Sequence, residues 1–461
     1  MSEELHVFCR ERVMGRVIRD PRRNKLVFRY EQAWQSDPGS FPLSLSMPLT
    51  AVEHPHDVIE SFLWGLLPDN DGVLRRWGTK FQVSSKNAFA LLSHVGEDCA
   101  GGIQFVRSEK IDNWIADPPL GKVDWLKSAE VDERMALLLR DHAATRSGSD
   151  SGQFSLAGAQ PKIALFRDED RGRWGIPSGY MPTTHILKPA TGAFDGLAEN
   201  EHFCLRLAKE CGFSTATSTV EYFSESPVIV VERYDRLRQD GIVFRIHQED
   251  FCQALGRAPQ QKYQNEGGPS ASEIVTLIRQ YSSNHAEDEQ RFIDALILGW
   301  LIEATDAHAK NFSVLIAAGA QVRLAPLYDI SSALPYPKQV DLRRANLAMR
   351  IGGTYRLREI GKRNWEKFAV ENKISPKMLH DRVEHLMDVM PQKCSAVADA
   401  LAREGITHAI VELLVQSIGE RVTKCREEFV RGGTRLSVTI RRKNEDCMTP
   451  ACRKKCVPRC P

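Results

Sequence analysis

Long hydrophobic runs are missing from this chain of 461 residues. The longest apolar stretch, Phe292–Ala304, is interrupted by Asp294 and Glu303 and is too short to span a bilayer. The chain also lacks the basic and then apolar opening of a secretory signal, because two glutamates follow Ser2. These absences argue against a membrane partner and predict a cytoplasmic protein.

A large excess of either charge is missing as well. The chain holds 62 Lys+Arg against 60 Asp+Glu, so its overall charge gives no indication of nucleic-acid binding. The balance changes at the end, where residues 433–461 contain eight basic residues against Glu445 and Asp446. The rest of the chain is therefore slightly acidic, and its hydrophobic content is ordinary for a globular enzyme.

Paired cysteines are missing from the body of the chain. Of the eleven cysteines, seven are scattered singly, which indicates a reducing compartment rather than a disulfide framework. The other four have the spacing C-x4-C-x3-C-x3-C and are Cys447, Cys452, Cys456 and Cys460. Four thiolates suit zinc, although zinc sites usually have paired C-x2-C units. We favour a disordered basic extension with incidental cysteines, and zinc binding is the alternative.

A spacing typical of kinase catalytic loops occurs in Thr305–Asn311. Asp306 and Asn311 are five positions apart, as are the aspartate and asparagine of H-R-D-x-x-x-x-N. A kinase needs a carboxylate beside the attacking hydroxyl, and an amide and a second carboxylate that hold magnesium. Asp329 lies eighteen residues after Asn311, at the end of the apolar strand-like run Val322–Tyr328. Because solvated loops often show this spacing, its interpretation depends on what precedes it.

The parts that a kinase needs upstream of this loop are present in order. A Gly/Ser-rich stretch at 147–152 comes first, and Lys188 then ends a short apolar strand from which a lysine reaches nucleotide phosphates. In the helical pattern that follows, Glu201 either pairs with Lys188 or interacts with the helix dipole. The apolar strand Val228–Glu232 runs into a polar turn, where a two-lobed kinase has the hinge that binds adenine. This order predicts a kinase.

Pattern and composition divide the chain into four regions. They are an N-terminal subdomain, a nucleotide-binding lobe, a helical catalytic lobe and the basic tail, with the bounds 1–135, 136–250, 251–432 and 433–461. The subdomain opens with alternating apolar residues over 5–30, which predict a β-hairpin. Helices are predicted near 57–67, 86–92 and 132–144, and a strand over 162–166.

Six blocks of sequence carry a family resemblance. They are Ser61–Asn70, Gly96–Gly102, Phe154–Lys162, Pro182–Lys188, Val231–Arg236 and Ala304–Ser313. In this order they resemble HipA, the serine/threonine kinase toxin of bacterial toxin–antitoxin pairs, and the resemblance covers roughly residues 5–430. It implies an α+β, two-lobed, protein-kinase-like fold with a mixed α/β N-terminal part and an all-helical C-terminal lobe.

The resemblance also implies an activity and its partners. ATP and Mg2+ would be the cosubstrate and the cofactor, and the phosphate would pass to a serine of an aminoacyl-tRNA synthetase. Glutamyl-tRNA synthetase is the first choice, and its modification would block translation and cause growth arrest and persistence. A HipB-like helix-turn-helix antitoxin would neutralise the toxin, and the two would bind operator DNA together, mainly through the antitoxin.

The resemblance assigns roles to individual residues. Asp306 is the catalytic base, Asn311 and Asp329 hold magnesium, and Lys188 binds the phosphates. The residues matching the phosphate-covering loop are Ser155, which is also the autophosphorylated serine, Leu156, Ala157, Gly158, Ala159 and Gln160. Pro161 follows where an acidic residue is frequent in the family.

Four further residues of the ATP site are less sharply defined by the resemblance. Glu232 and Tyr234 match the hinge. His308 is interpreted as positioning the catalytic loop, with an acid–base role as the alternative. Lys310 either supports the transferring phosphate or is solvated.

Two other functional classes stay open on the sequence. Small-molecule phosphotransferases also combine an Asp-x4-Asn loop with a later aspartate. A non-catalytic corepressor would only bind an antitoxin and DNA, but every side chain that catalysis needs is present, which argues against it.

Overall fold

The structure is a computed structural model that describes residues 3–20, 22–116, 121–143, 155–190 and 194–445. The Gly/Ser-rich stretch at 147–152 and the four cysteines of the tail lie outside the described residues, and so does the zinc alternative. The seven described cysteines are all free thiols.

The N-terminal part is built on a five-stranded antiparallel sheet with the strand order β4-β3-β2-β1-β5. The predicted hairpin is confirmed as β1 and β2, and β3 extends it. Val17 and Phe28 face each other across β2 and β3 and are both fully buried, as the alternation of apolar residues requires. The strands are β1 (Glu3–Cys9), β2 (Arg12–Asp20), β3 (Lys25–Tyr30), β4 (Glu53–His54) and β5 (Ile103–Arg107). The helices are α1 (Gln32–Gln35), α2 (His56–Gly65), α3 (Asp71–Phe81), α4 (Ala88–Val95) and α5 (Ile111–Ala116).

A six-stranded antiparallel sheet forms the second part, in the order β10-β11-β9-β7-β8-β6. The predicted strands at 162–166, 185–189 and 228–232 are all present in it. Its strands are β6 (Lys122–Trp125), β7 (Ile163–Asp168), β8 (Arg173–Ser178), β9 (His185–Pro189), β10 (Ser218–Phe223) and β11 (Ser226–Glu232). The helices α6 (Ser128–Arg140) and α7 (Leu197–Glu210) belong to this part, and the hairpin β12 (Arg236–Gln239) and β13 (Ile242–Arg245) follows it.

The C-terminal part is mainly helical, but the prediction that it is all-helical was wrong in detail. Four short strands lie within residues 251–432, and the first two of them form a three-stranded sheet together with β14. The strands are β14 (His247–Asp250), β15 (Ser313–Ala317), β16 (Gln321–Leu324), β17 (Asn346–Ile351) and β18 (Thr354–Arg356). The apolar run 322–328 is a strand only as far as Leu324, because Pro326 has no N–H to donate to a ladder.

Helices make up the rest of this part. They are α8 (Phe251–Ala254), α9 (Ala271–Tyr281), α10 (His285–Leu301), α11 (Lys362–Glu371), α12 (Pro376–Arg403) and α13 (Ile410–Glu445). Trp300 of α10 and Trp365 of α11 pack ring to ring inside a core cluster that extends from Leu5 to Phe429. The N-terminal sheet and the helical part therefore share one core. Among the described helices, none has both the length and the apolar character that crossing a bilayer demands.

Candidate active site

A cleft lies between the six-stranded sheet and the helical part. With the exception of Ser155, every residue that the sequence proposed for catalysis or nucleotide binding lines it. These residues are Leu156, Ala157, Gly158, Ala159, Gln160, Lys188, Glu232, Tyr234, Asp306, His308, Lys310, Asn311 and Asp329. The tertiary structure thus brings together side chains from five separate segments.

The segment after α10 forms a tight loop, which is the candidate catalytic loop. Asn311 ends a single 3-10 turn, and its Nδ2 donates to the backbone carbonyl of Asp306 at 2.8 Å, which closes the loop on itself. The Asp306 side chain is 68% exposed and faces the cleft. It also accepts a hydrogen bond from the hydroxyl of Tyr263, a residue that the sequence gave no reason to select. A carboxylate this accessible is suited to accept a proton from a hydroxyl that enters the cleft.

Asp329 has a backbone conformation that side chains rarely adopt. Its φ is 55°, in the left-handed region, where a residue other than glycine costs on the order of 1–3 kcal/mol. The preceding Tyr328 is fixed by hydrogen bonds with the Lys310 carbonyl at 2.7 Å and the Ser313 hydroxyl at 2.6 Å. The left-handed turn brings the Asp329 carbonyl to 3.5 Å from Asn311 Nδ2. The two residues proposed to hold a metal ion are therefore neighbours.

Lys188 is the cation at the centre of the cleft. Its Nζ lies 2.7 Å from Glu201 Oε1 and 2.9 Å from Asp329 Oδ1. Burial by itself lowers the pKa of Lys188, but Asp329 and Glu201 outweigh burial and raise the pKa above its usual value, so the ammonium stays charged. For Asp329 the pKa shifts in the other direction. Burial by itself raises its pKa, but Lys188 and Lys162 outweigh burial and lower it. Of the two interpretations of Glu201, pairing with Lys188 is confirmed.

The loop Leu156–Gln160 covers one side of the cleft and depends on Gly158. That glycine has φ 104°, and a Cβ there would lie 2.5 Å from Lys162 Nζ. The same Nζ donates to the Ala157 carbonyl at 2.8 Å, which ties the loop to the start of β7. Lys162 lines the cleft and was missed as a site residue, although it ends a block that carries the family resemblance.

The N-terminal part holds this loop in place. Gly158 forms a parallel bridge with Pro68, and its carbonyl accepts from the Asp69 amide at 3.1 Å. Ser155 is fully buried and points away from the cleft, since its hydroxyl donates to the Leu66 carbonyl at 2.7 Å. The structure therefore places Ser155 behind the loop rather than among the cleft-lining residues.

Lys310 is neither exposed nor solvated. Its side chain is 4% exposed, and its Nζ lies 2.6 Å from Asp69 Oδ1. Lys262 approaches the other oxygen of Asp69 at 3.4 Å. Burial raises the pKa of Asp69, but Lys310 and Lys262 outweigh it and hold the pKa below its usual value. Asp69 therefore links the catalytic loop to the segment that holds the loop Leu156–Gln160.

His308 lies within the candidate catalytic loop and packs beside Asp306 and Tyr263. Its ring is buried and packs edge-on against Tyr263, with centroids 5.1 Å apart. Nε2 lies 3.9 Å from Asp306 Oδ1, and burial lowers the pKa of His308, which favours a neutral imidazole. This placement agrees with the positioning role that the sequence suggested.

A buried ion network fixes the turn after β11. Arg233 pairs with Asp235 at 2.8 Å, and Arg236 and Arg245 each approach Asp98 at 3.1 Å. Burial raises the pKa of Asp98, but the arginines outweigh it and hold the pKa far below its usual range. Breaking such a buried pair costs about 3–5 kcal/mol, so the network holds the turn rigidly against the N-terminal part.

Glu232 and Tyr234 flank Arg233 in the sequence, and both residues line the cleft. The Tyr234 hydroxyl donates to Gln248, and its ring lies 5.3 Å from that of Tyr328. The Tyr234 ring beside this backbone turn is suited to pack against a planar base such as adenine.

Comparison with known proteins agrees with this geometry. A family model described as the HipA-like C-terminal domain matches residues 154–396, and the HipA N-terminal domain matches residues 5–106. The first match alone covers more than half of the chain. The chain belongs to the HipA family. The resemblance predicted from the six sequence blocks is therefore confirmed.

Individual members of the HipA family align over most of the chain. The Sinorhizobium fredii protein named "Putative kinase Y4mE" is 35% identical over 427 residues, which are 92% of this chain and 98% of that protein. The serine/threonine-protein kinase toxin HipA of Shewanella oneidensis is 29% identical over 336 residues, 70% of this chain and 74% of the toxin.

A solved structure shows the same fold. It is the Shewanella oneidensis toxin–antitoxin complex of HipA, HipB and operator DNA, with a TM-score of 0.78 and 25% identity. The match covers 92% of this chain and 97% of that chain. The two-lobed, mixed α/β fold with a helical C-terminal part is thereby confirmed for this HipA-family protein.

Proposed function

We propose that this HipA-family protein is a kinase toxin that transfers the γ-phosphate of ATP to a serine of another protein. The observation that carries the proposal is the convergence of Asp306, Asn311, Asp329 and Lys188 on one cleft. Kinase chemistry is supported at the level of the family. The ATP dependence and the serine acceptor are our inferences from the site.

The cleft suits a triphosphate. Lys162, Lys188, Lys262 and Lys310 all line it, and the last two are paired with Asp69. Lys162 is paired with a carbonyl oxygen, and burial together with Lys188 lowers its pKa to about 8. A buried lysine in that state gains from an anionic ligand, because a phosphate would restore the stability of its charged form.

The cleft also suits a magnesium ion. The Asp329 carboxylate and the Asn311 amide offer the oxygen ligands that Mg2+ prefers, and both residues line the cleft, with Asn311 Nδ2 3.5 Å from the backbone carbonyl of Asp329. Bound Mg2+ would neutralise the charge that develops on the phosphates.

Side chains of this protein would perform the remaining steps. Asp306 accepts the proton of the serine hydroxyl, which takes the position now held by the Tyr263 hydroxyl. Glu201 holds Lys188 in place for the phosphates. The loop Leu156–Gln160 covers the transferring group and keeps water away.

The acceptor we propose is an aminoacyl-tRNA synthetase, with glutamyl-tRNA synthetase as the first choice. Its phosphorylation in the cytoplasm would block translation and produce growth arrest and persistence. We also propose a HipB-like antitoxin as the neutralising partner, with operator DNA bound through that complex. The support for these partners is the named toxin relative and the HipA–HipB–operator DNA structure.

Phosphoproteomics after a short induction in a bacterial host tests the acceptor. We expect a dominant new phosphoserine in an aminoacyl-tRNA synthetase, and none when an Asp306→Asn variant is induced to the same level. Parallel assays with sugars and aminoglycosides test the phosphotransferase alternative. Transfer to these small molecules with no protein phosphosite would overturn the proposal, and a variant that arrests growth without any transfer would favour the corepressor alternative.

Asp69 gives a second prediction, because it positions Lys310 from the N-terminal part. Replacing Asp69 with asparagine leaves Lys310 buried without its carboxylate, so the catalytic loop loses its fixed place. We expect kcat to fall by about 10²-fold, the cost of misplacing a catalytic group by about 1 Å, with KM for ATP little changed.

Matched variants separate this role from simple stability. Asp69→Glu should recover part of kcat, whereas Asp71→Asn, at an exposed position in the first turn of α3, should have no effect. A fall in thermal stability that accounts for the whole loss of activity would contradict the positioning role.

A further inference from the structure

A second cleft lies on the far side of the catalytic aspartate. We call it the acceptor cleft, and its apolar lining includes Phe194, Leu197, Tyr336 and Val340. The cleft of the candidate active site is the proposed nucleotide cleft. The acceptor cleft shares four residues with it, namely Gln160, Glu201, Asp306 and Asp329. The two clefts therefore meet at the carboxylate that is proposed to accept the proton.

The wall of the acceptor cleft is held firmly in place. Ser332 exchanges two hydrogen bonds of 2.9 Å with the side chain of Asn200 on α7, and its hydroxyl donates to the Ile302 carbonyl at 2.6 Å. Tyr336 packs edge-on against Phe194, and the Val340 amide donates to the Tyr336 carbonyl at 2.9 Å. The segment 331–340 is thus bound both to α7 and to the start of the catalytic loop.

The two clefts differ in their charged residues. Four lysines and Arg233 line the nucleotide cleft beside seven carboxylates, which are Asp69, Glu201, Glu232, Asp235, Asp250, Asp306 and Asp329. Among the described residues that line the acceptor cleft, the charged ones are all carboxylates: Glu201, Asp306 and Asp329. The acceptor cleft thus offers an anionic acceptor, such as a sugar phosphate or a nucleic acid, no cation among its described lining residues, whereas an uncharged hydroxyl with an apolar neighbour would fit.

We propose that the acceptor cleft binds the protein segment that carries the phosphorylated serine. It takes an apolar side chain next to that serine and disfavours acidic neighbours. In the transfer, the serine oxygen forms a bond to the γ-phosphorus of ATP, and the bond from that phosphorus to the β-phosphate oxygen breaks. The hydroxyl proton passes to Asp306, and ADP leaves. This inference rests on the proposed kinase function and adds the sequence class of its acceptor.

Val340 provides the test, because it belongs to the apolar lining of the acceptor cleft and is not one of the four shared residues. The purified full-length protein is assayed with ATP and a serine peptide library that varies each position flanking the serine. The wild type should prefer leucine, isoleucine, methionine or phenylalanine at a flanking position and select against aspartate and glutamate. Val340→Asp should raise KM for the preferred peptide at least about tenfold, and shift the preference at that position towards lysine and arginine.

A matched variant controls for the added charge. Val370 on α11 is 68% exposed and lies outside the acceptor cleft, so Val370→Asp should leave peptide selection unchanged. The KM for ATP should be the same in the wild type and both variants. Unchanged selection in Val340→Asp, or an equal rise of KM for ATP, would overturn the inference while leaving the kinase function intact.

Photo-cross-linking gives an independent measurement if Val340→Asp fails to fold. The preferred peptide carries a photoreactive apolar side chain at the selected position, and mass spectrometry locates the label on the wild-type protein. Label within 331–340 or at Leu197 supports the inference, and label confined to other surfaces refutes it. If the wild type phosphorylates no peptide or protein at all, the proposed function itself fails.

Discussion

Replacing Asp306 with asparagine should lower the rate of phosphoryl transfer by on the order of 10³-fold or more, which corresponds to about 4 kcal/mol in the barrier. The amide has nearly the same shape as the carboxylate but cannot take a proton from the acceptor hydroxyl. Asp306 is largely exposed, and among the described residues its nearest ion-pair partner is His308 at 3.9 Å, so its loss should leave the fold and the nucleotide affinity almost unchanged.

Two further substitutions make the Asp306 result specific. Asp329→Asn should also abolish transfer, but with weaker nucleotide binding, because Asp329 both contacts Lys188 and is proposed to hold magnesium. Asp381→Asn, at a surface position on α12, should change neither quantity. Transfer rates from single turnovers and affinities from calorimetry distinguish the three variants. Near-normal transfer by Asp306→Asn would show that another group is the base.

Phosphorylation of Ser155 should strongly weaken nucleotide binding. The Ser155 hydroxyl is fully buried and donates to the Leu66 carbonyl, while its amide donates to the Asp98 carbonyl at 2.9 Å. A phosphate adds close to two negative charges, removes the donor and would face the Leu66 carbonyl oxygen at short range. The modified residue must therefore leave its pocket and draw the loop Leu156–Gln160 away from the nucleotide cleft.

The decisive sample is the wild type before and after incubation with ATP and magnesium. Mass spectrometry should find one phosphate on Ser155, and nucleotide affinity should fall more than about tenfold as its occupancy rises, since the covering loop no longer contributes. Incubated Asp306→Asn should stay unmodified and keep its affinity. Full affinity in a completely phosphorylated sample would exclude this mechanism.

Local sequence carried much of the information about the site. The spacing of Asp306 and Asn311, the lysine at the end of β9 and the apolar strand before the hinge all occupy the places that the kinase pattern predicts. These signals are readable because they depend on residues a few positions apart, where strand and turn geometry determine direction. The order of the segments then supplied the specificity that each segment lacked.

Contacts between distant segments were not readable in the same way. Lys310 and Asp69 are 241 positions apart, and no local pattern indicates that one would neutralise the other. Tyr263 lies between short 3-10 turns, where no periodicity marks it as a partner of Asp306. The short strand β15 was missed because five residues between two 3-10 turns show too little alternation to be distinguished from a loop.

The sequence by itself determined which chemical groups are available, in what order, and hence the kinase-like family and the identity of its base, metal-binding and phosphate-binding candidates. Only the tertiary structure decided their electrostatic state, because burial and neighbouring charges depend on which distant segments meet. It kept Lys188 charged between Glu201 and Asp329, buried Lys310 against Asp69, and turned Ser155 away from the cleft. It also placed a cleft lined by four lysines on one side of Asp306 and, on the other side, an apolar cleft whose charged residues, among those described, are all carboxylates.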